Sequence, residues 1–114
     1  MSEPERSTRA DLHTRATPMT DLVEYQDGSI VSRRILKRQS GTMTAFAFDR
    51  GQRLSEHSAP FDAVVHVLEG EAEVKLSGSP FHLRAGEMIL IPANVAHSVT
   101  AVERLKMLLT LARD

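Results

Sequence analysis

Two segments of the chain decide its fold: GQRLSEHSAPFDAVVHVLEG at residues 51–70 and GEMILIPANVAH at residues 86–97. Each segment opens on a glycine and contains an apolar stretch rich in strand-forming residues. The first segment places His57 before its apolar stretch, and the second places His97 after its own.

The surrounding chain shows short stretches that alternate between apolar and polar residues, which is the pattern of half-buried strands. In residues 71–76, Ala72, Val74 and Leu76 share one face and the charged residues share the other. Residues 88–91 are continuously apolar, which predicts a strand covered on both faces. Glycine and proline separate many of these stretches, and no helix is predicted after the N-terminal region. The pattern therefore predicts an all-β sandwich or barrel.

The two segments resemble the paired motifs of the cupin superfamily in their order and separation. In each segment the opening glycine is followed after five residues by a motif position, His57 in the first and Pro92 in the second. Asn94 stands where the family usually has glycine, and asparagine also tolerates the positive φ of a turn. The resemblance implies a cupin-type double-stranded jelly-roll barrel, as in the RmlC-like cupins.

The metal site of the family is only half present in this chain. The family usually holds one metal ion with two histidines, a carboxylate and a further histidine from the second motif. The resemblance places His57 and His97 at the first and last positions, but Ala59 and Ala63 at the other two. Stable sites for Zn²⁺, Fe²⁺, Ni²⁺ or Cu²⁺ normally use three or four protein ligands. Asp62 is a candidate third ligand if a bulge before it turns its side chain inward.

Strand parity assigns a small group of residues to the barrel cavity. If His57 points inward, Ala59, Ala63 and Val65 share its face, and the resemblance brings His97 beside them. The two alanines open volume where ligand side chains normally stand. An apolar pocket with few polar groups is by default a small-molecule site. We therefore expect a protein that binds a small organic molecule in its cavity, with any divalent metal ion held weakly.

Two other functions remain open. The resemblance implies a metal-dependent enzyme of the oxygenase, isomerase or decarboxylase class, with His57 and His97 as metal ligands. Alternatively, a cavity histidine oriented by Glu56 or Asp62 would transfer protons without a metal ion. Regular alternation turns the Glu56 side chain away from the cavity, so the residues favour this second alternative least.

Composition narrows the partners and the location. A net charge of −1, a pI near 6.5 and an aromatic content of 4% argue against nucleic-acid binding. The chain has no cysteine, which excludes disulfides and thiolate metal sites. No apolar stretch is long enough to span a membrane, so we expect no membrane partner and a cytoplasmic location.

The N-terminal region differs from the rest of the chain. Residues 1–18 mix charges of both signs with Ser, Thr and Pro, which predicts a flexible arm before a single barrel domain at residues 19–114. A barrel of this size gains stability by covering an apolar outer sheet face. We expect a homodimer through such a face, with Val64, His66 and Leu68 as candidate contacts and with the arm crossing to the partner.

Overall fold

A computed structural model describes residues 15–113, and strands make up most of that span. One short 3₁₀ turn, Met19–Asp21, precedes the first strand. The strands in chain order are β1 (Ile30–Arg38), β2 (Gly41–Phe48), β3 (Arg53–His57), β4 (Asp62–Glu69), β5 (Glu71–Leu76), β6 (Ser79–Arg84), β7 (Met88–Ile91), β8 (His97–Ala101) and β9 (Leu105–Ala112). The prediction of an all-β fold is confirmed. Most of the predicted N-terminal arm, residues 1–14, lies outside the described residues.

The strands form two antiparallel sheets. The larger sheet has five strands in the order β1-β2-β9-β4-β7, and the smaller has four in the order β3-β8-β5-β6. Consecutive strands β3 and β4 belong to different sheets, as do β6 and β7. The chain therefore passes repeatedly from one sheet to the other, which joins them into a two-sheet barrel. Within residues 15–113, we find no helix of the length and apolar character needed to cross a membrane.

The inner faces of the two sheets pack together into the main core. Val65 and Val67 of β4 and Met107 of β9 have no exposed surface, and Val74 of β5 meets them from the smaller sheet. Burial of a side chain of this size contributes about 1.5–3 kcal/mol relative to its exposed state. The alternation predicted for residues 71–76 is confirmed for its apolar face, because Ala72 is also fully buried.

A second apolar layer covers part of the outer face of the five-stranded sheet. Val23, from the stretch before β1, packs there with Ala45 and Ala47 of β2 and with Leu108 of β9. Leu68 of β4 lies against the same cluster. The chain therefore uses its own N-terminal stretch to cover one part of this sheet face.

Tyr25 anchors the N-terminal stretch to the sheet. Its hydroxyl donates a hydrogen bond of 2.6 Å to Glu69, and the cationic groups of Arg104 and Lys106 each lie over its ring, 4.9 Å from the ring centroid. Burial, followed by the hydrogen bond to the Glu69 carboxylate, raises the pKa of Tyr25. Lys106 also donates a hydrogen bond of 2.6 Å to the Thr20 carbonyl. These contacts hold the stretch in place at neutral pH.

The structure contradicts the prediction that β7 is covered on both faces. Met88 and Leu90 expose 55% and 53% of their surface, whereas Ile91 is buried. β7 lies at the edge of the five-stranded sheet and pairs only with β4 among the described strands. One of its faces contacts the core, and the other has no covering layer within the described chain. A continuous apolar run does not reveal such an edge position.

Candidate functional site

A cavity of about 280 Å³ lies between the two sheets. Phe46 and Leu109 line it from the five-stranded sheet, and Val99 lines it from the four-stranded sheet. Among the described residues, only two side chains of its wall carry nitrogen or oxygen, those of His57 and His97. The cavity is therefore an apolar chamber whose polar chemistry is concentrated in one histidine pair.

The histidine pair results from the pairing of β3 with β8. His57 and His97 are direct partners in the register of these strands, and their ring centroids lie 4.3 Å apart with an angle of 58° between the ring planes. The register shifts between Leu54 and His57, where β3 carries one extra residue. This bulge lets Leu54 and His57 both line the cavity although they stand an odd number of residues apart.

Both imidazoles are oriented by backbone carbonyl groups. The Nδ1 atom of His57 lies 2.9 Å from the Ser55 oxygen, and the Nδ1 atom of His97 lies 2.9 Å from the Val95 oxygen. A carbonyl oxygen can only accept a hydrogen bond, so each Nδ1 must carry the proton and donate it. The neutral form of each ring then presents an unprotonated Nε2 with a free lone pair.

The structure places the other three predicted cavity residues in the same wall. Ala59, Ala63 and Val65 all line the cavity beside the histidine pair. A hydrogen bond of 2.7 Å from the Asn94 backbone N–H to the Ala59 carbonyl fixes the loop that carries Ala59. Asn94 has a φ of 68°, so the prediction that asparagine supports the turn at this glycine position is confirmed.

Asp62, the candidate third metal ligand, does not line the cavity beside the histidine pair. Its side chain is exposed, and its carboxylate accepts a hydrogen bond of 2.9 Å from the Ala93 backbone N–H. The bulge in this part of the barrel lies in β3 before His57, and not immediately before Asp62. Asp62 therefore keeps the outward parity of its strand position, and it stabilises the neighbouring loop.

The described residues supply only half of a typical metal-ligand set. Within residues 15–113, no group of three or more histidine, aspartate and glutamate side chains is arranged to hold a metal ion. The two Nε2 atoms have the protonation state that a metal ligand needs, because a metal-bound imidazole commonly donates its other N–H to a carbonyl. Two nitrogen ligands do not meet the three or four of a stable protein site. The described residues therefore do not fit a stable metal centre.

The carboxylates considered for metal-free proton transfer lie away from the cavity. Glu56 is exposed and contributes to a separate surface groove beside Lys75. Neither Glu56 nor Asp62 lines the cavity, and the hydrogen bonds of His57 and His97 go to backbone carbonyls instead. The orienting groups of both imidazoles are backbone carbonyls, so the geometry does not provide a carboxylate–histidine pair.

Several residues of the cavity wall could not be predicted from strand parity. Leu54 lines the cavity because the bulge in β3 changes the parity between it and His57. Phe61 lies in the loop between β3 and β4, where strand parity does not apply. Phe46 lies in the alternating stretch of β2, and nothing in that pattern indicates that it faces the open part of the barrel. A wall that includes strands from both sheets depends on pairing between distant segments, which alternation cannot give.

Comparison with known proteins identifies relatives of this chain. Residues 45–111 match the model of the Cupin domain family. A curated relative, Polyketide synthase CurC from Streptomyces cyaneus, is 34% identical over 96 residues, which are 83% of this chain and 53% of that protein. The chain spans about half the length of the curated relatives that it matches.

Solved structures show the same architecture. A conserved protein of unknown function from Streptococcus pyogenes is 32% identical, with a TM-score of 0.86 over 90% of each chain. A Cupin 2 conserved barrel domain protein from Leptotrichia buccalis is 41% identical, with a TM-score of 0.78 over 82% of this chain and 46% of that one. The two-sheet barrel, the paired motifs and these matches agree: the chain belongs to the cupin family.

Proposed function

We propose that this cupin binds a small, mainly apolar organic molecule in the cavity between its sheets. The observation that carries the proposal is the cavity itself, about 280 Å³ of space with an apolar wall and one histidine pair. Small-molecule sites are typically concave and apolar, with a few placed polar groups that orient the ligand. The volume lies just below the usual range of about 300–1,000 Å³. A ligand of one or two rings fits it best.

Two alanines support a ligand-binding role over a metal-centred one. Ala59 and Ala63 stand at positions where the family has metal ligands, and both line the cavity. Their short side chains leave space for an organic molecule and provide no donor atoms for a metal ion. The same two positions therefore weaken metal binding and enlarge the ligand site.

The name of a curated relative supports a chemical class for the ligand. CurC from Streptomyces cyaneus is named a polyketide synthase. Polyketide chemistry produces carbon skeletons with ring systems and enolisable carbonyl groups. The aromatic rings of Phe46 and Phe61 in the wall suit such flat, mainly apolar molecules. We propose a polyketide-derived ring compound as the natural ligand.

A cavity-filling substitution tests the proposed function. Ala63→Leu adds three carbon atoms to the wall and occupies the space of the ligand. We expect naphthalene, a purely apolar probe, to bind the unmodified chain and to lose at least about tenfold in affinity with Ala63→Leu. The chain contains no tryptophan, so naphthalene fluorescence is read without that background. Ala85→Leu, at an exposed position outside the cavity, is the matched control.

The proposal fails if naphthalene does not bind the unmodified chain, or if Ala63→Leu and Ala85→Leu bind it equally well. Thermal unfolding of both variants verifies that each is folded at the temperature of the titration.

A weakly held divalent metal, and with it a metal-dependent enzyme, is the second candidate. The observation that favours it is that both Nδ1 atoms bond to backbone carbonyls, which leaves both Nε2 lone pairs available to a metal ion. We expect Zn²⁺ to bind less tightly than in a three-ligand site. His57→Ala should weaken its binding by at least about tenfold, whereas Asp62→Asn should leave it unchanged, because the Asp62 carboxylate contacts Ala93 instead.

Calorimetric titration with Zn²⁺ after chelator treatment checks this expectation. Stoichiometric binding that resists the chelator, and that is lost with Asp62→Asn, would show that a three-ligand metal site forms after all.

A further inference from the structure

We infer that the ligand's polar end is a hydrogen-bond donor, a phenol or enol hydroxyl, which is accepted by the Nε2 atoms of His57 and His97. This inference rests on the proposed function and adds that the ligand donates, and does not accept, the hydrogen bond in the cavity. It distinguishes ligands that donate a hydrogen bond in the cavity from ligands of the same shape that only accept one.

Both rings carry their proton on the nitrogen that faces the backbone. Each Nδ1 donates its proton to a carbonyl oxygen of its own strand region, that of Ser55 or that of Val95, at 2.9 Å in both cases. A ring flip would put a carbon atom against the carbonyl and lose this hydrogen bond. The proton is therefore fixed on Nδ1, and the neutral rings offer acceptor atoms at Nε2.

In the part of the chain that the structure describes, the rest of the cavity wall offers no hydrogen-bond donor from its side chains. Apart from the histidines, the side chains that line the cavity are hydrocarbon, with the thioether of Met107 as the one exception. A thioether is a weak acceptor and never a donor. Among the described residues, the lining side chains thus present two strong acceptors and no donor while the histidines are neutral. A ligand that complements this wall therefore donates the hydrogen bond.

The ring centroids of His57 and His97 lie 4.3 Å apart, and both rings line the cavity. His57 is exposed, whereas His97 is half-buried. We place the ligand's hydroxyl beside this pair, with the nitrogen atoms that do not contact the backbone carbonyls as its acceptors. A ligand that covers the half-buried His97 ring without donating leaves its lone pair without a partner, which is costly in apolar surroundings.

The experiment compares two probes of nearly equal shape, 1-naphthol and 1-methoxynaphthalene. The hydroxyl of the first donates a hydrogen bond, and the methoxy oxygen of the second can only accept one. Binding to chelator-treated protein is measured by calorimetry above the pH range in which imidazoles are protonated. We expect 1-naphthol to bind at least about tenfold more tightly than 1-methoxynaphthalene.

Phenylalanine variants assign the preference to the histidines. His57→Phe and His97→Phe keep a ring in the wall but remove its acceptor nitrogen, and the double variant should abolish the preference for 1-naphthol. His66→Phe, on the outer face of β4, is the matched control and should keep it. Retained binding of naphthalene by the double variant shows that its cavity is intact. If that variant loses naphthalene binding, the two single variants must each reduce the preference for the inference to stand.

The outcomes separate the inference from the proposed function. Equal binding of the two probes, with naphthalene still bound, overturns the donor requirement and leaves the apolar cavity site standing. A preference that arises only after Zn²⁺ is added overturns direct acceptance by the imidazoles. Failure of all three probes to bind overturns both claims together.

Discussion

At the residue scale, the histidine pair shows what sequence can and cannot reveal. Motif resemblance placed His57 and His97 together, and the structure has them as direct partners in the β3–β8 register. The state of their nitrogen atoms depends on the carbonyls of Ser55 and Val95, two residues before each histidine. The direction of those carbonyls follows from the local backbone, which residue types alone do not specify. Whether the site donates or accepts a hydrogen bond therefore could not be predicted from the sequence.

Gly70 gives a prediction at the same scale. It has a φ of 85° between β4 and β5, and a Cβ atom built on it would lie 1.7 Å from the Arg104 carbonyl oxygen. Gly78 has the same φ of 85°, but a Cβ atom there would meet nothing within 4 Å. Gly78→Ala should cost about 1–2 kcal/mol from backbone strain alone. Gly70→Ala should cost more, because the carbonyl must also move.

Urea unfolding of the two glycine variants measures the difference. Equal losses in the free energy of unfolding would mean that the Arg104 carbonyl can move away from a Cβ atom at position 70 with no loss of stability, and would contradict the prediction.

At the element scale, alternation predicted the strand faces well and the strand environments less well. The inner face of β5 is buried as predicted, but β7 proved to be an edge strand with Met88 and Leu90 exposed. Pairing order depends on contacts between distant segments, and a four-residue apolar run is compatible with either environment. The bulge in β3 likewise escaped prediction, and with it the inward position of Leu54.

The loop between β2 and β3 carries a pH-dependent anchor. Asp49 accepts hydrogen bonds from the Gly28 N–H at 2.6 Å and from the Arg104 guanidinium at 2.9 Å. These bonds, the Gly28 contribution being the largest, lower the pKa of Asp49 to about 2. A carboxyl whose pKa is lower in the folded state stabilises the fold above its unfolded pKa. That contribution is lost as the pH falls from about 4 through 2.

Asp49→Asn tests this anchor. The variant should be less stable at neutral pH, and its free energy of unfolding should fall less steeply than that of the unmodified chain between pH 5 and about 2. Chemical unfolding across this range, with each protein normalised to its own value at pH 7, provides the measurement. Parallel pH profiles for the two proteins would contradict the assignment.

At the scale of the whole molecule, the family resemblance predicted the barrel correctly, and strand parity selected cavity positions that the structure places in one wall. The outer surface was harder to foresee. Leu68, a candidate subunit contact, packs against the cluster that contains Val23 of the chain's own N-terminal stretch. A covering segment without strong periodicity leaves no such signal in the sequence.

We propose that a second copy of the chain packs on the outer face of β4 and β7, which the N-terminal stretch leaves uncovered. Met88 and Leu90 are more than half exposed there, beside Val64 and His66. We expect light scattering at micromolar concentration to give the mass of a dimer, and Leu90→Lys to give that of a monomer, because a charge would be buried in the contact. Val102→Lys, at an exposed apolar residue outside this face, should remain dimeric.

A monomeric mass for the unmodified chain would remove the dimer from the account. Equal masses for Leu90→Lys and Val102→Lys would place any contact elsewhere.

The most direct test of the central claim is a crystal structure of the chain with 1-naphthol bound. The account predicts density for the two rings between the sheets, against Phe46 and Ala63. It also predicts that the hydroxyl oxygen lies within about 2.7–3.2 Å of an Nε2 atom of His57 or His97. Density confined to the outer surface, or a hydroxyl turned away from both imidazoles, would contradict it.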